Sequence, residues 1–80
     1  MLLKIIHSEV TYNERENKEE LTNMIHSSFI NTNAIMSIDI REYGGCIKMM
    51  RSQNYYVTQK VVDSIIKEIV NENLSTWELL

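Results

Sequence analysis

The sequence predicts a small α+β domain in the order β-α-β-β-α, a three-stranded sheet with two helices packed on one face. Three observations predict it. Residues 34–43 alternate apolar and polar side chains as a strand does, residues 57–70 repeat apolar side chains at helical spacing, and two glycines stand together at 44–45. Eighty residues, 44% of them hydrophobic, can bury one modest core, so residues 1–80 are predicted to form a single domain.

The N-terminal part of the chain predicts a strand followed by a helix. Residues 2–12 indicate a strand with apolar side chains on both faces near its start. Asn13 followed by Glu16 resembles a helix-capping box. Four apolar residues then follow at i, i+3, i+4 and i+8: Leu21, Met24, Ile25 and Phe29. A strand–helix–strand connection favours parallel strands. We place the first strand beside the third and antiparallel to it, with a position beside the second strand as the alternative.

The paired glycines predict a hairpin between the second and third strands. Gly44-Gly45 suits a two-residue type I′ turn, which needs positive φ at both positions. The turn would set three pairs of residues opposite one another: Tyr43 and Cys46, Arg41 and Lys48, Ile40 and Met49. Apolar partners such as Ile38, Ile40 and Met49 would then face the core, and charged partners would face outward.

The C-terminal helix is the clearest predicted element. Thr58 is a candidate N-cap, and the apolar residues between Val57 and Val70 fill an arc of roughly 220° at ~100° per residue. This arc is wider than one contact needs. We expect the helix either to wedge between the sheet and the first helix or to meet another chain. Beyond it, Ser75 and Glu78 suggest a second capping box around Trp77, an apolar side chain that must be buried somewhere.

The sequence contains no pattern typical of an enzyme or a metal site. Cys46 is interpreted as a small, half-exposed residue at the turn, and neither His7 nor His26 lies at a zinc-ligand spacing from it. Both glycines are used by the turn, so no phosphate-binding loop is predicted. We therefore expect no catalytic residues, no metal and no cofactor. A single cysteine, and no segment near the ~20 apolar residues that span a bilayer, favour a cytoplasmic protein without a membrane partner.

Surface composition favours a binding protein. The formal net charge is −3, but the positive charge is concentrated in residues 41–60. We expect a non-enzymatic protein-interaction module, an adaptor, inhibitor or regulator, which could be homodimeric. The alternative is binding of single-stranded nucleic acid, RNA in particular, on the open sheet face and the basic hairpin. The predicted partner-binding residues are Arg41, Tyr43, Lys48, Met50, Tyr55, Tyr56 and Trp77.

Overall fold

A computed structural model shows a five-stranded antiparallel sheet with one helix, and the structure describes residues 1–72. The elements are β1 (Leu2–Asn13), β2 (Lys18–Asn31), β3 (Ile35–Arg41), β4 (Gly44–Met49), β5 (Asn54–Thr58) and α1 (Gln59–Glu72). The strand order is β2-β1-β5-β4-β3. The prediction of a three-stranded sheet under two helices is therefore wrong, because the described residues hold two further strands and a single helix.

The segment predicted as the first helix is strand β2. Asn13 Oδ1 does accept the backbone N–H groups of Arg15 and Glu16, at 3.0 and 3.2 Å. The chain then reverses at Asn17, whose φ is 54°, and returns as the second strand of a long hairpin. The hydrogen bonds that Asn13 was predicted to make as a helix cap thus stabilise a turn instead, because an Asn side chain can accept backbone N–H groups in both structures.

The predicted order of the sheet is also wrong. β1 pairs antiparallel with β2, with a register shift between Ser8 and Val10, and it pairs with β5 at Ser8 and Tyr56, so no parallel crossover joins the first two strands. Strand β5, which was not predicted, lies between β1 and β4. Its two tyrosines point to opposite faces of the sheet, as successive residues of a strand must.

The β3–β4 hairpin turns two residues earlier than predicted, at Glu42 and Tyr43. Arg41 pairs with Gly44 and Ile40 with Gly45, so the glycines belong to β4. None of the three predicted cross-strand pairs forms: Asp39 lies opposite Cys46, Ser37 opposite Lys48 and Ile35 opposite Met49. Ile38 and Met49 still face the core, but Ile40 is 65% exposed. Cys46 is 3% exposed within β4, which corrects its prediction as a half-exposed turn residue.

The core lies between α1 and one face of the sheet. Its buried members are Ile5, Ile30, Ile47, Met49, Val57, Val62 and Ile65. Burying one such side chain stabilises the fold by roughly 1.5–3 kcal/mol. The predicted helix is confirmed in α1, and so is its cap: Thr58 Oγ1 accepts the Val61 N–H at 3.4 Å. A Cβ on Gly45 would lie 2.7 Å from Val62 Cγ2, so the helix approaches β4 at the position without a side chain.

Candidate protein-binding surfaces

The predicted partner-binding residues do not form one surface. Arg41 ends β3, Tyr43 lies in the β3–β4 turn and Lys48 lies in β4. Met50 is 55% exposed in the short 3-10 turn before β5, while Tyr55 and Tyr56 are half-buried on opposite faces of β5. Trp77 lies outside the described residues. Of these residues, the structure brings Arg41 and Lys48 together around the carboxylate of Asp39.

The two cations of the predicted site share one carboxylate. Lys48 Nζ lies 2.9 Å from Asp39 Oδ2, and Arg41 Nη2 lies 3.7 Å from the same oxygen. The hydrogen bond from Lys48 lowers the pKa of Asp39, and the same bond raises the pKa of Lys48. One carboxylate thus compensates one of the two positive charges, and this group keeps a net charge of +1.

The tip of the β1–β2 hairpin lies against the β3–β4 turn. Together they enclose a cavity of about 260 Å³ lined by Tyr12, Asn17, Lys18, Glu19, Arg41, Glu42 and Tyr43. Burial raises the pKa of the Tyr43 hydroxyl, which agrees with a ring that is covered rather than presented to solvent. The plane predicted to be open is thus partly occupied by the molecule's own hairpin.

A larger groove separates β1 from α1, and we call it the β1–α1 groove. Its volume is about 540 Å³. One wall is the β1 segment from Leu3 to Ser8, and the other is a stripe along the first turns of α1: Lys60, Val61, Ser64, Ile65 and Glu68. Ile25, Tyr56, Val57 and Thr58 complete the lining. The lining of the groove is mainly apolar, and its charged residues are Lys4, Lys60 and Glu68.

The β1 wall of this groove is an unpaired strand edge. β1 pairs with β5 at Ser8 and Tyr56, and no strand in residues 1–72 pairs with residues 3–7 on this side. Alternate residues of a strand direct their backbone N–H and C=O groups toward the same side. Two or three residues of β1 therefore offer hydrogen-bonding groups to whatever enters the groove.

Four large apolar side chains lie exposed on the sheet face that α1 does not cover, and we call them the apolar stripe. They are Leu2, Ile6, Ile25 and Phe29, with exposed fractions of 69, 57, 68 and 70%. In the β1–β2 register Lys4 lies opposite Phe29, Ile6 opposite Ser27 and Ser8 opposite Ile25. Phe29 is thus the diagonal neighbour of both Leu2 and Ile6, and Ile6 of Ile25. Their side chains form a continuous path across both strands.

A pair of histidines stands on the opposite face of the same hairpin. His7 Nε2 lies 2.8 Å from Ser28 Oγ, and its ring centroid lies 5.5 Å from that of His26 and 4.8 Å from that of Tyr55. Burial lowers the pKa of His7, and the neighbouring His26 lowers it further. In the part of the chain that the structure describes, no three His, Cys, Asp or Glu side chains cluster as metal ligands would.

Sequence reasoning missed both the groove and the apolar stripe. Ile25 and Phe29 were assigned to the apolar stripe of a helix, and Leu2 and Ile6 to a strand with apolar side chains on both faces. One signal was present: Ile25, Ser27 and Phe29 alternate with His26, Ser28 and Ile30, which is the period of a strand. The groove had no such signal, because it depends on where β5 ends and α1 begins.

Comparison with protein-family models, curated proteins and solved structures finds no match to this chain. The helix within residues 1–72 is too short and too polar to cross a membrane.

Proposed function

We propose that this protein is a cytoplasmic, non-enzymatic interaction module, an adaptor, inhibitor or regulator, that binds an extended segment of a partner protein in the β1–α1 groove. The observation that carries the proposal is the unpaired edge of β1 at residues 3–7, which faces an apolar groove of about 540 Å³. A strand edge beside apolar pockets is the arrangement by which many domains capture a peptide as an additional strand.

The groove also indicates the chemistry of the segment it would accept. Main-chain hydrogen bonds to β1 require an extended backbone. Side chains at alternate positions would point toward Ile65 and Val61, so they should be apolar. Two lysines, Lys4 and Lys60, line the groove against one carboxylate, Glu68, and this excess of positive charge favours an acidic residue in the ligand beside the lysines. The expected ligand is thus a short extended peptide with alternating apolar residues and an acidic flank.

The nucleic-acid alternative has weaker support. Arg41 and Lys48 both contact Asp39, so a phosphate would have to compete with a carboxylate already in place. Tyr43 lines the cavity under the hairpin tip, where a base could stack only after the hairpin moves. Binding of single strands depends on exposed aromatic rings and on free cations along one groove.

The cysteine also favours a non-enzymatic function. Burial raises the pKa of the Cys46 thiol, and the Asp39 carboxylate raises it further. A nucleophilic thiol needs the opposite environment, one that stabilises the thiolate.

Selection from a random peptide library tests the proposal. We expect the purified protein to select extended, apolar–acidic peptides, and a bound peptide to shift the backbone NMR signals of residues 3–8 and of the groove side of α1. Ser64 lines the groove and is exposed, so Ser64→Tyr should narrow the groove and weaken binding at least ~10-fold with the fold intact. Lys67→Tyr is the matched control, because Lys67 is exposed on α1 outside the groove.

Failure of the proposal would be clear in the same experiments. A library that yields no peptide above background, or peptides whose signals map elsewhere, would exclude the groove as the binding site. Fluorescent single-stranded RNA should show no saturable binding at about 50 mM salt, and binding weakened by Lys48→Ala would instead favour the nucleic-acid function.

A further inference from the structure

From Ile25 to Asn31, the outer edge of β2 lacks the charged side chains and prolines that normally protect an edge strand. β2 ends the sheet, and no strand in residues 1–72 pairs with its outer side. Its segment from Ile25 to Asn31, sequence IHSSFIN, contains no Asp, Glu, Lys, Arg or Pro. Proteins usually protect exposed edges with charged side chains, proline or bulges. An edge of this composition is suited to pairing with another strand.

The opposite edge of the sheet provides an internal comparison. β3 carries Asp39 and Arg41 in its seven residues, and its pairing with β4 is interrupted between Ile35 and Ser37. Charged side chains on an edge discourage a further strand. The pairing of β1 with β2 is also interrupted, between Ser8 and Val10, so the two edges differ in their charges and not in the presence of an irregularity.

We infer that β2 pairs antiparallel with β2 of a second copy of this chain, about a two-fold axis at Ser27, to form a homodimer. In this register Ile25 lies opposite Phe29 of the second copy, and Phe29 opposite Ile25 of the second copy, on the face that α1 leaves uncovered. Pairs of an aromatic and a β-branched side chain are among the favourable cross-strand pairs. On the other face His26 lies opposite Ser28 of the second copy, so no like charges are forced together at neutral pH.

The charges of β2 also fit this pairing. Its charged residues are Lys18, Glu19 and Glu20, all at the hairpin end of the strand and outside the paired segment. The apolar stripes of the two copies would meet across the axis and form one continuous apolar surface. A two-fold interface of this kind is self-complementary, as a homodimer requires.

Edge pairing contacts the outer side of β2 and not the whole apolar stripe. Ile25 and Phe29 are 68 and 70% exposed and lie on the paired strand, whereas Leu2 and Ile6 lie on β1 and stay uncovered by the pairing. The dimer is therefore held by main-chain hydrogen bonds between the two edges and by the Ile25–Phe29 contacts across the axis.

The dimer does not depend on the peptide-binding proposal. The β1–α1 groove lies on the side of β1 that faces α1, whereas the dimer edge lies beyond β2. The groove lining and the apolar stripe share Ile6 and Ile25, but Ser64 belongs only to the groove and Phe29 only to the stripe. Ser64→Tyr and Phe29→Arg therefore test the two proposals separately.

Sedimentation equilibrium between about 1 and 100 µM tests the inference. We expect the wild-type chain to be dimeric in this range. Phe29→Arg should raise the dissociation constant at least ~100-fold, because the two-fold axis makes the substitution act twice. Met36→Arg is the matched control: Met36 is also 70% exposed but lies on β3, so this variant should remain dimeric. Circular dichroism of each variant confirms that the fold is retained.

Disulfide trapping tests the register. Facing residues on paired strands lie within the Cα separation that a disulfide requires. Ser27→Cys should give a covalent dimer under mild oxidation, and Ser37→Cys, an exposed serine on the β3 edge, should not. A wild-type monomer at 100 µM, a dimer insensitive to Phe29→Arg, or equal cross-linking of the two cysteine variants would overturn the inference.

Discussion

Gly45 is the position at which one methyl group should test the contact between α1 and the sheet. A Cβ there would lie 2.7 Å from Val62 Cγ2 and 3.2 Å from the Asp39 carbonyl oxygen. Ordinary contacts of such an atom lie at 3.4–4 Å. Val62 is fully buried, so its side chain has little room to move away. Gly45→Ala must therefore displace the helix, the β3–β4 hairpin or both.

The expected cost combines two opposing effects. Adding a methyl group to a packed core destabilises by about 1–3 kcal/mol. Alanine loses less conformational entropy on folding than glycine, which returns about 0.5–1 kcal/mol. The net loss for Gly45→Ala is then roughly 0–2.5 kcal/mol, centred on about 1 kcal/mol. Each kcal/mol lowers Tm by about 4–8 °C in a domain of this size.

Urea unfolding of four variants isolates the contact. Val62→Ala alone removes two buried methyl groups and should cost about 2 kcal/mol. In the double variant the new methyl group occupies part of that space, so the combined loss should be about 1–2 kcal/mol smaller than the sum. Gly44→Ala is the control. Its Cβ would lie 2.3 Å from the Val57 carbonyl oxygen at a φ of +144°, and shortening Val62 cannot relieve either problem.

Two results would refute this reasoning. A Gly45→Ala protein as stable as the wild type would mean that α1 does not approach β4 so closely. Strictly additive losses of unfolding free energy in the double variant would mean that the new methyl group does not contact Val62. All measurements need one protein concentration, because a dimer makes stability depend on concentration.

Two further predictions follow from titratable side chains. The pKa of His7 is lowered by burial and by His26, so the unfolded chain binds more protons than the folded chain, and stability should fall as pH drops below the unfolded value of about 6.5. The urea midpoint should therefore be lower at pH 5 than at pH 7.5. His7→Gln should reduce the difference between the two midpoints. The Cys46 thiol is 3% exposed and its pKa is raised, so a thiol reagent at pH 8 should label the native protein far more slowly than the urea-unfolded protein. Equal labelling rates would contradict the burial of Cys46.

The parts of the fold that sequence predicted correctly are those fixed by local periodicity. Helix α1 has its apolar residues at helical spacing and a threonine at its start, and the structure confirms both. The alternation around Ile38 and Asp39 likewise identified β3, although of the residues it placed toward the core Ile38 packs there and Ile40 is 65% exposed. Each of these patterns lies within one element, so no knowledge of distant partners was needed.

The register of the β3–β4 hairpin was wrong because glycine has more than one use. Gly44 and Gly45 were assigned to positive φ in a turn, but Glu42 and Tyr43 form the turn instead. Gly44 does have a positive φ, of 144°, and both glycines lie where a Cβ would collide with β5, α1 or the link between them. A requirement for close approach between distant segments cannot be recognised from spacing along the chain.

The apolar stripe escaped prediction for a related reason. Large apolar residues are buried more often than not, so Ile25 and Phe29 were assigned to the apolar stripe of a helix, and the apolar residues on both faces of the first strand were not recognised as exposed. In β2 the true core residue of this region is Ile30, 3% exposed, whereas its neighbour Phe29 is 70% exposed. Hydrophobicity alone cannot separate a core face from a binding face, because the two are chemically alike.

The competing assignments of residues 13–31 predict opposite signs for one substitution, Asn17→Ala. In a helix interior alanine is more favourable than asparagine, so the change would stabilise the fold by about 0.6 kcal/mol. In the hairpin Asn17 has a φ of 54°, and its side-chain oxygen accepts a hydrogen bond from the Tyr12 hydroxyl. Alanine in that conformation costs about 1 kcal/mol, and the hydrogen bond is also lost. We expect Asn17→Ala to lower the urea midpoint and Asn17→Gly, which tolerates positive φ, to change it much less. A higher midpoint for Asn17→Ala would support the helix assignment of residues 13–31 and contradict strand β2. The dimer edge and the apolar stripe, which both depend on β2, would then be wrong.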